Sequence, residues 1–77
     1  MTVRRVREYA REEAIRMGVK PSDIFSPCRE WQVVSARWAV MRRLRADGFS
    51  LPQIGAWMGR HHTTVLHAVG SPDALTQ

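Results

Sequence analysis

The sequence predicts an all-α fold of four to five helices, and three observations carry that prediction. Over residues 2–17, apolar side chains recur every three or four positions, the spacing of one helix face. Over 27–46, a broad apolar arc lies between a Ser-Pro start and an Asp-Gly stop. Over 50–69, two short segments of helical spacing are separated by a glycine. We expect one domain over residues 1–77: a first helix at 2–17, a central helix at 27–46, a helix pair at 50–58 and 61–69, and a tail at 70–77.

A chain of 77 residues supports a small core. Domains of this size bury only about 60% of their unfolded surface. The formal net charge is +5 and the pI about 11.1. Of the twelve basic residues, eleven are Arg. The planar Arg fork suits phosphate and guanine, so a polyanionic partner is expected, although an inert solvated surface would have the same charge. Cys28 is the single cysteine, which excludes an internal disulfide and suits a reducing cytoplasm. No run approaches eighteen apolar residues and no signal peptide is evident, so neither membrane span nor export is expected.

In the first helix Thr2 is the candidate cap. Val3, Val6, Ala10, Ala14 and Met17 draw one stripe, which Tyr9 and Ile15 flank. Its many Arg and Glu residues read as a solvated face, and Gly18 ends it. Residues 18–26 form a connector with a helical turn at Pro21 to Phe25, placing Val19, Ile24 and Phe25 against the core. In the central helix, Ser26 before Pro27 reads as a cap followed by a first-position proline. Trp31, Val34, Trp38 and Met41 mark one face, with both tryptophans read as core anchors. Arg29 and Arg37, eight residues apart, would share a side of this helix; Arg42, Arg43 and Arg45 read as solvated.

Ser50-Leu51-Pro52-Gln53 fits a capping box at the start of the first short helix. Ile54, Trp57 and Met58 form its face, and Gly59 interrupts it. The second segment opens with Arg60-His61-His62-Thr63-Thr64 and would bury Val65, Leu66 and Val69. Short polar and basic side chains at the N-terminal end of such a helix suit base edges and adjacent phosphates, as in a helix-turn-helix.

Ser50-Leu51-Pro52-x-Ile54-Gly55, followed by Gly59-Arg60-x-His62-Thr63-Thr64-Val65-Leu66-His67-Ala68, closely resembles the signature of domain IV of the bacterial replication initiator DnaA. Asp23-Ile24-Phe25-Ser26 matches a further part of that pattern, and the likeness extends over roughly Ala14 to Val69. The resemblance implies a helix-turn-helix that reads double-stranded DNA. It implies that Arg29 enters the minor groove and that Arg37 meets the phosphate backbone. It implies apolar DNA contacts from Leu51 and Pro52, base-edge contacts from His62 and Thr63, and phosphate contacts from Thr64 and His67. For His67, a partly buried structural histidine is the competing reading.

The chain departs from the family's pattern at three places. His61 stands where the family usually has a base-reading Asp. One glycine, Gly59, stands where it has two, which implies a shorter turn. Gly70-Ser71-Pro72 stops the last helix, with a frayed tail to Gln77.

Cys28, His61, His62 and His67 fit no compact zinc spacing, so no metal or other cofactor is expected. No third group orients a Cys-His nucleophile, and no Walker-type phosphate loop is present. The expected protein is therefore no enzyme. It is a cytoplasmic, nucleoid-associated DNA-binding protein, a small regulator of transcription or genome maintenance, with a mobile-element origin suggested only by the missing initiator domains. One alternative is a modulator of replication that occupies initiator boxes. Another is a protein-interaction module that kept the fold without base reading. A protein partner or a homodimer would add affinity to a single helix-turn-helix.

Overall fold

The computed structural model describes residues 2–70, and for Thr2 and Val3 the backbone alone. The expectations for the Thr2 cap, for Val3 in the stripe, and for Ser71, Pro72 and the tail to Gln77 lie outside the described residues. Within them the chain is all-α, with five helices: α1 (Thr2–Met17), α2 (Pro21–Ile24), α3 (Trp31–Ala46), α4 (Leu51–Met58) and α5 (His62–Gly70).

Helix α1 lays Val6, Ala10 and Ala14 against α3, its main neighbour. The small side chains at 10 and 14 let the two backbones approach. At the end of α1 the Gly18 and Val19 N–H groups return to the carbonyls of Ile15 and Ala14 at 3.3 and 2.9 Å, satisfying the last orphan acceptors. Helix α3 closes the same way, with Gly48 and Phe49 donating to Arg45 and Leu44. One core results, from Ile24 of α2, Ala36, Val40, Met41 and Leu44 of α3, Ile54 and Met58 of α4, and Val65 and Ala68 of α5.

Four expectations around the connector and the start of α3 are corrected. The central helix begins at Trp31, not at residue 27, with Glu30 in its N-cap position in extended conformation. Ser26 caps no helix there. Its hydroxyl donates to the Asp23 carbonyl at 2.7 Å and accepts the Cys28 N–H at 3.2 Å, closing a local turn. Because α3 starts late, Trp31 stands in its first turn and is 70% exposed, whereas Trp38, two turns on, packs on the core. Phe25 lies just beyond α2 and is 39% exposed, leaving Ile24 as the residue of this connector that is fully buried.

On α5 the buried pair is Val65 and Ala68, and Leu66 is 50% exposed. Val65 and Ala68 are three apart and so face α3 and α4 together, which turns Leu66 outward.

The three arginines near the end of α3 are engaged, not simply solvated. Arg42 donates to the Ala68 carbonyl at 3.3 Å and Arg45 to the Phe49 carbonyl at 2.9 Å. Arg43 pairs with Glu12 at 2.7 Å and with Glu13 at 3.2 Å, its guanidinium lying 3.9 Å from the centre of the Tyr9 ring. Burial disfavours its charge, yet the two carboxylates outweigh burial and hold the guanidinium above its ordinary pKa. Glu13 is itself buried, so Arg43 fixes α1 to α3 through a carboxylate that water barely reaches. Replacing Arg43 by Ala is expected to lower stability by about 1–3 kcal/mol, the cost of leaving a buried acceptor short of a partner. A thermal melt checks this, and an unchanged Tm would show that the carboxylates re-pair with solvent at no cost.

Candidate nucleic-acid interface

Helix α4 starts as its sequence requires. The Ser50 hydroxyl accepts the Gln53 N–H at 3.3 Å, and the Gln53 side-chain oxygen accepts the Ser50 N–H at 3.0 Å. This reciprocal capping box fixes where Leu51 and Pro52 stand, half-buried and exposed respectively. Helix α4 ends at Gly59, whose φ of +67° is left-handed and favours glycine. The Arg60 N–H then returns to the Gly55 carbonyl at 2.8 Å. A Cβ at Gly55 would lie 2.5 Å from the Arg60 carbonyl oxygen, so the turn folds onto α4 only because residue 55 has no side chain. Residues 59–61 join α4 to α5, the ordinary length for a helix-turn-helix. Met58 completes α4 with its side chain buried, and the single Gly59 makes the reversal.

His61 begins the second helix. Its carbonyl accepts the Thr64 N–H at 3.0 Å, and its ring Nδ1 accepts the Thr63 N–H at 3.2 Å. The imidazole is thus a side-chain cap, satisfying an orphan donor that a carboxylate or hydroxyl satisfies in other helices. With Nδ1 accepting, the ring proton is assigned to Nε2. The Thr63 hydroxyl also lies 2.7 Å from Nδ1 and donates to it. His62 lies against His61 with ring centroids 4.3 Å apart. His61, His62 and Thr63 are exposed, Thr64 is half-buried, and His67 is exposed one turn further on.

Beside this helix lies the loop that precedes α3. Arg37 is only 5% exposed. Its Nε donates to the Ile24 carbonyl at 2.8 Å, and its Nη2 donates to the carbonyls of Ser26 at 2.7 Å, Cys28 at 3.1 Å and Asp23 at 3.3 Å. Arg60 donates to the same Ser26 carbonyl at 2.6 Å. Burial, and after it the neighbouring Arg60 charge, lowers the Arg37 pKa from its usual value. Arg29 is exposed in this loop, ahead of the helix. The expected side-by-side placement of Arg29 and Arg37 on one helix is therefore corrected, because the carbonyls of Ser26 and Cys28 bond to Arg37 instead of starting a helical ladder. Even so, Pro27, Arg29, Arg37 and Arg60 line one open pocket of about 290 Å³.

The fold thus groups Arg29, Arg37 and Arg60 at that pocket. His61, His62, Thr63 and Thr64 lie at the adjoining start of α5, and Leu51 and Pro52 at the start of α4. Two features escaped sequence reasoning. Gly55 was legible as an isolated glycine inside a helical pattern. The binding of the Asp23, Ile24, Ser26 and Cys28 carbonyls to Arg37 had no local signal.

Residues 14–71 match the family described as the bacterial dnaA protein helix-turn-helix, and the chain belongs to that family. Membership supports DNA binding in general. No solved structure matches the chain. No helix among the described residues is long and apolar enough to cross a membrane. The interface depends on the turn, so Gly55→Ala is expected to lower stability by about 1–3 kcal/mol through overpacking and to weaken duplex binding with it. Melts and titrations on the same preparation check this; full stability and full affinity would mean that the Arg60 carbonyl moves aside freely.

Proposed function

We propose that the chain is a non-enzymatic reader of double-stranded DNA, with α5 in the major groove and Arg29 in the flanking minor groove. The observation that carries this reading is the exposed row His61-His62-Thr63 at the start of α5, anchored behind by buried Val65 and Ala68. His62 and Thr63 face base edges, and the Thr63 methyl suits the thymine C5-methyl group. His61 acts mainly by capping α5 and orienting Thr63. Leu51 and Pro52 make apolar contacts from the start of α4. Thr64, His67 and the basic pocket take phosphates, which set register. A narrow, A·T-rich minor groove attracts the long cationic side chain of Arg29.

The biological role we favour is a small regulator of transcription or genome maintenance at the nucleoid, with control of replication through initiator boxes as the second use of the same surface. The interaction-module alternative keeps its motive in His61, which caps α5 where the family pattern has a base-reading Asp. A partner or second copy on the DNA is supported by the large exposed side chain of Trp31.

Selection from a randomised duplex library at about 0.15 M salt tests the reading, because added salt weakens charge-only binding. An enriched motif is expected, and its likeness to an initiator box would favour the replication role. On that motif, Thr63→Ala is expected to relax preference at one base pair by about 1–3 kcal/mol. Binding without enrichment that disappears as salt rises would contradict base reading.

A further inference from the structure

We infer that the groove along α1, bounded by Arg7, Arg11, Phe25 and Trp57, is a docking site for an acidic, apolar peptide segment of a partner protein. The inference goes beyond DNA reading, and none of these residues belongs to the face assigned to the duplex.

Three observations converge. First, the groove is apolar and ready made. A hollow of about 420 Å³ lies between α1 and α4, with Val6, Ala56 and Trp57 in its wall. A second, of about 240 Å³, lies between α1 and α2, beside Ala10 and Pro21. Arg7 and Phe25 line both, so the two hollows form one groove. Trp57 is held edge-on to Phe49 with ring centroids 5.0 Å apart, which fixes its ring as a wall. Second, the rim is cationic and lacks counter-charge. Arg7 and Arg11 are exposed and stand four residues apart on α1, a spacing at which like charges oppose each other. Among the described residues every ion pair involves Arg5, Arg16 or Arg43, and none involves Arg7 or Arg11. No carboxylate lines either hollow. Third, the groove meets α4 near its end, at Ala56 and Trp57, whereas the duplex is assigned to its start at Leu51 and Pro52. One molecule therefore has room for both ligands at once.

These features select the occupant. Its carboxylates pair with the two guanidinium groups and relieve their mutual repulsion. An aromatic or leucine side chain fills the larger hollow between Phe25 and Trp57. Apolar anchors in a recess with arginine beside them are the usual make-up of a protein-binding hot spot. A nucleic-acid backbone would satisfy the arginines but leave the apolar hollows facing a polyanion. A lipid surface takes up protruding apolar side chains, and here Val6 and Ala10 are buried at the base of the groove.

The test pans a phage-displayed library of random peptides against the whole chain, then measures a fluorescein-labelled synthetic copy of the enriched peptide by anisotropy. Enriched peptides should carry carboxylates next to an aromatic residue or leucine. Phe25→Ala, or Arg7→Gln combined with Arg11→Gln, should weaken the labelled peptide about tenfold. Leu66→Ala, an exposed apolar side chain on α5, should leave its affinity intact. All four positions are exposed, and a melt of each variant confirms that it folds. A saturating duplex should not displace the peptide, and the Arg7 and Arg11 changes should leave duplex affinity unchanged. No enrichment, enriched peptides without carboxylates, or binding indifferent to Phe25 and to both arginines overturns the docking site. Displacement by the duplex, or loss of duplex affinity in the Arg7 and Arg11 variant, overturns it in favour of a nucleic-acid surface. Binding of phosphatidylglycerol vesicles that depends on Phe25, with no peptide enriched, overturns it in favour of a membrane surface.

Discussion

The arrangement depends first on the buried guanidinium of Arg37. A charge taken from water costs several kcal/mol unless hydrogen bonds replace its hydration. Here four main-chain carbonyls do so, those of residues 23, 24, 26 and 28. The Ser26 and Cys28 carbonyls are committed to Arg37, residues 27–30 stay outside any helix, and α3 starts only at Trp31. That delay lifts Arg29 clear of the helix. It also presents the Ser26 carbonyl to Arg60, so one side chain in the middle of α3 joins the loop before α3 to the turn after α4.

The other half of the surface is set by close backbone packing. Gly55 lets the Arg60 carbonyl approach α4, Gly59 reverses the chain, and His61 starts α5 with its own ring as the cap. These local devices use few residues, yet they set the start of α5, where His62 and Thr63 stand exposed. Val65 and Ala68 then fix the helix from behind. The larger part of the molecule, α1 on α3 with Arg43 between them, supplies the rigid support from which the small reading unit projects.

What was legible in the sequence follows the range of the interaction. Val6, Ala10 and Ala14 declared their helix by spacing, and Ser50 with Gln53 declared a capping box, because both signals act within a turn or two. The start of α3 was misread for the opposite reason. Ser26-Pro27 followed by Glu30 has every local mark of a helix start, and only Arg37, about ten residues on, overrides it. Leu66 and Trp31 were placed inside because apolar character was taken as burial; which side of α5 meets α3, and where α3 begins, decided otherwise. Arg43 gave no sign of its role, since Glu12 and Glu13 lie on a different helix. At the candidate interface the sequence indicated the residue types well, and the geometry between Arg37, Arg60 and Ser26 not at all.

The central claim is that one face, made of the loop before α3, the start of α4 and the start of α5, meets the duplex. Mapping amide and arginine side-chain NMR shifts during titration with a short duplex tests it most directly. The account predicts large, saturating changes at Arg29, Leu51, Arg60 to Thr64 and His67, with α1 and Leu66 almost unmoved. Changes centred on the arginines of α1, with the start of α5 silent, would contradict it.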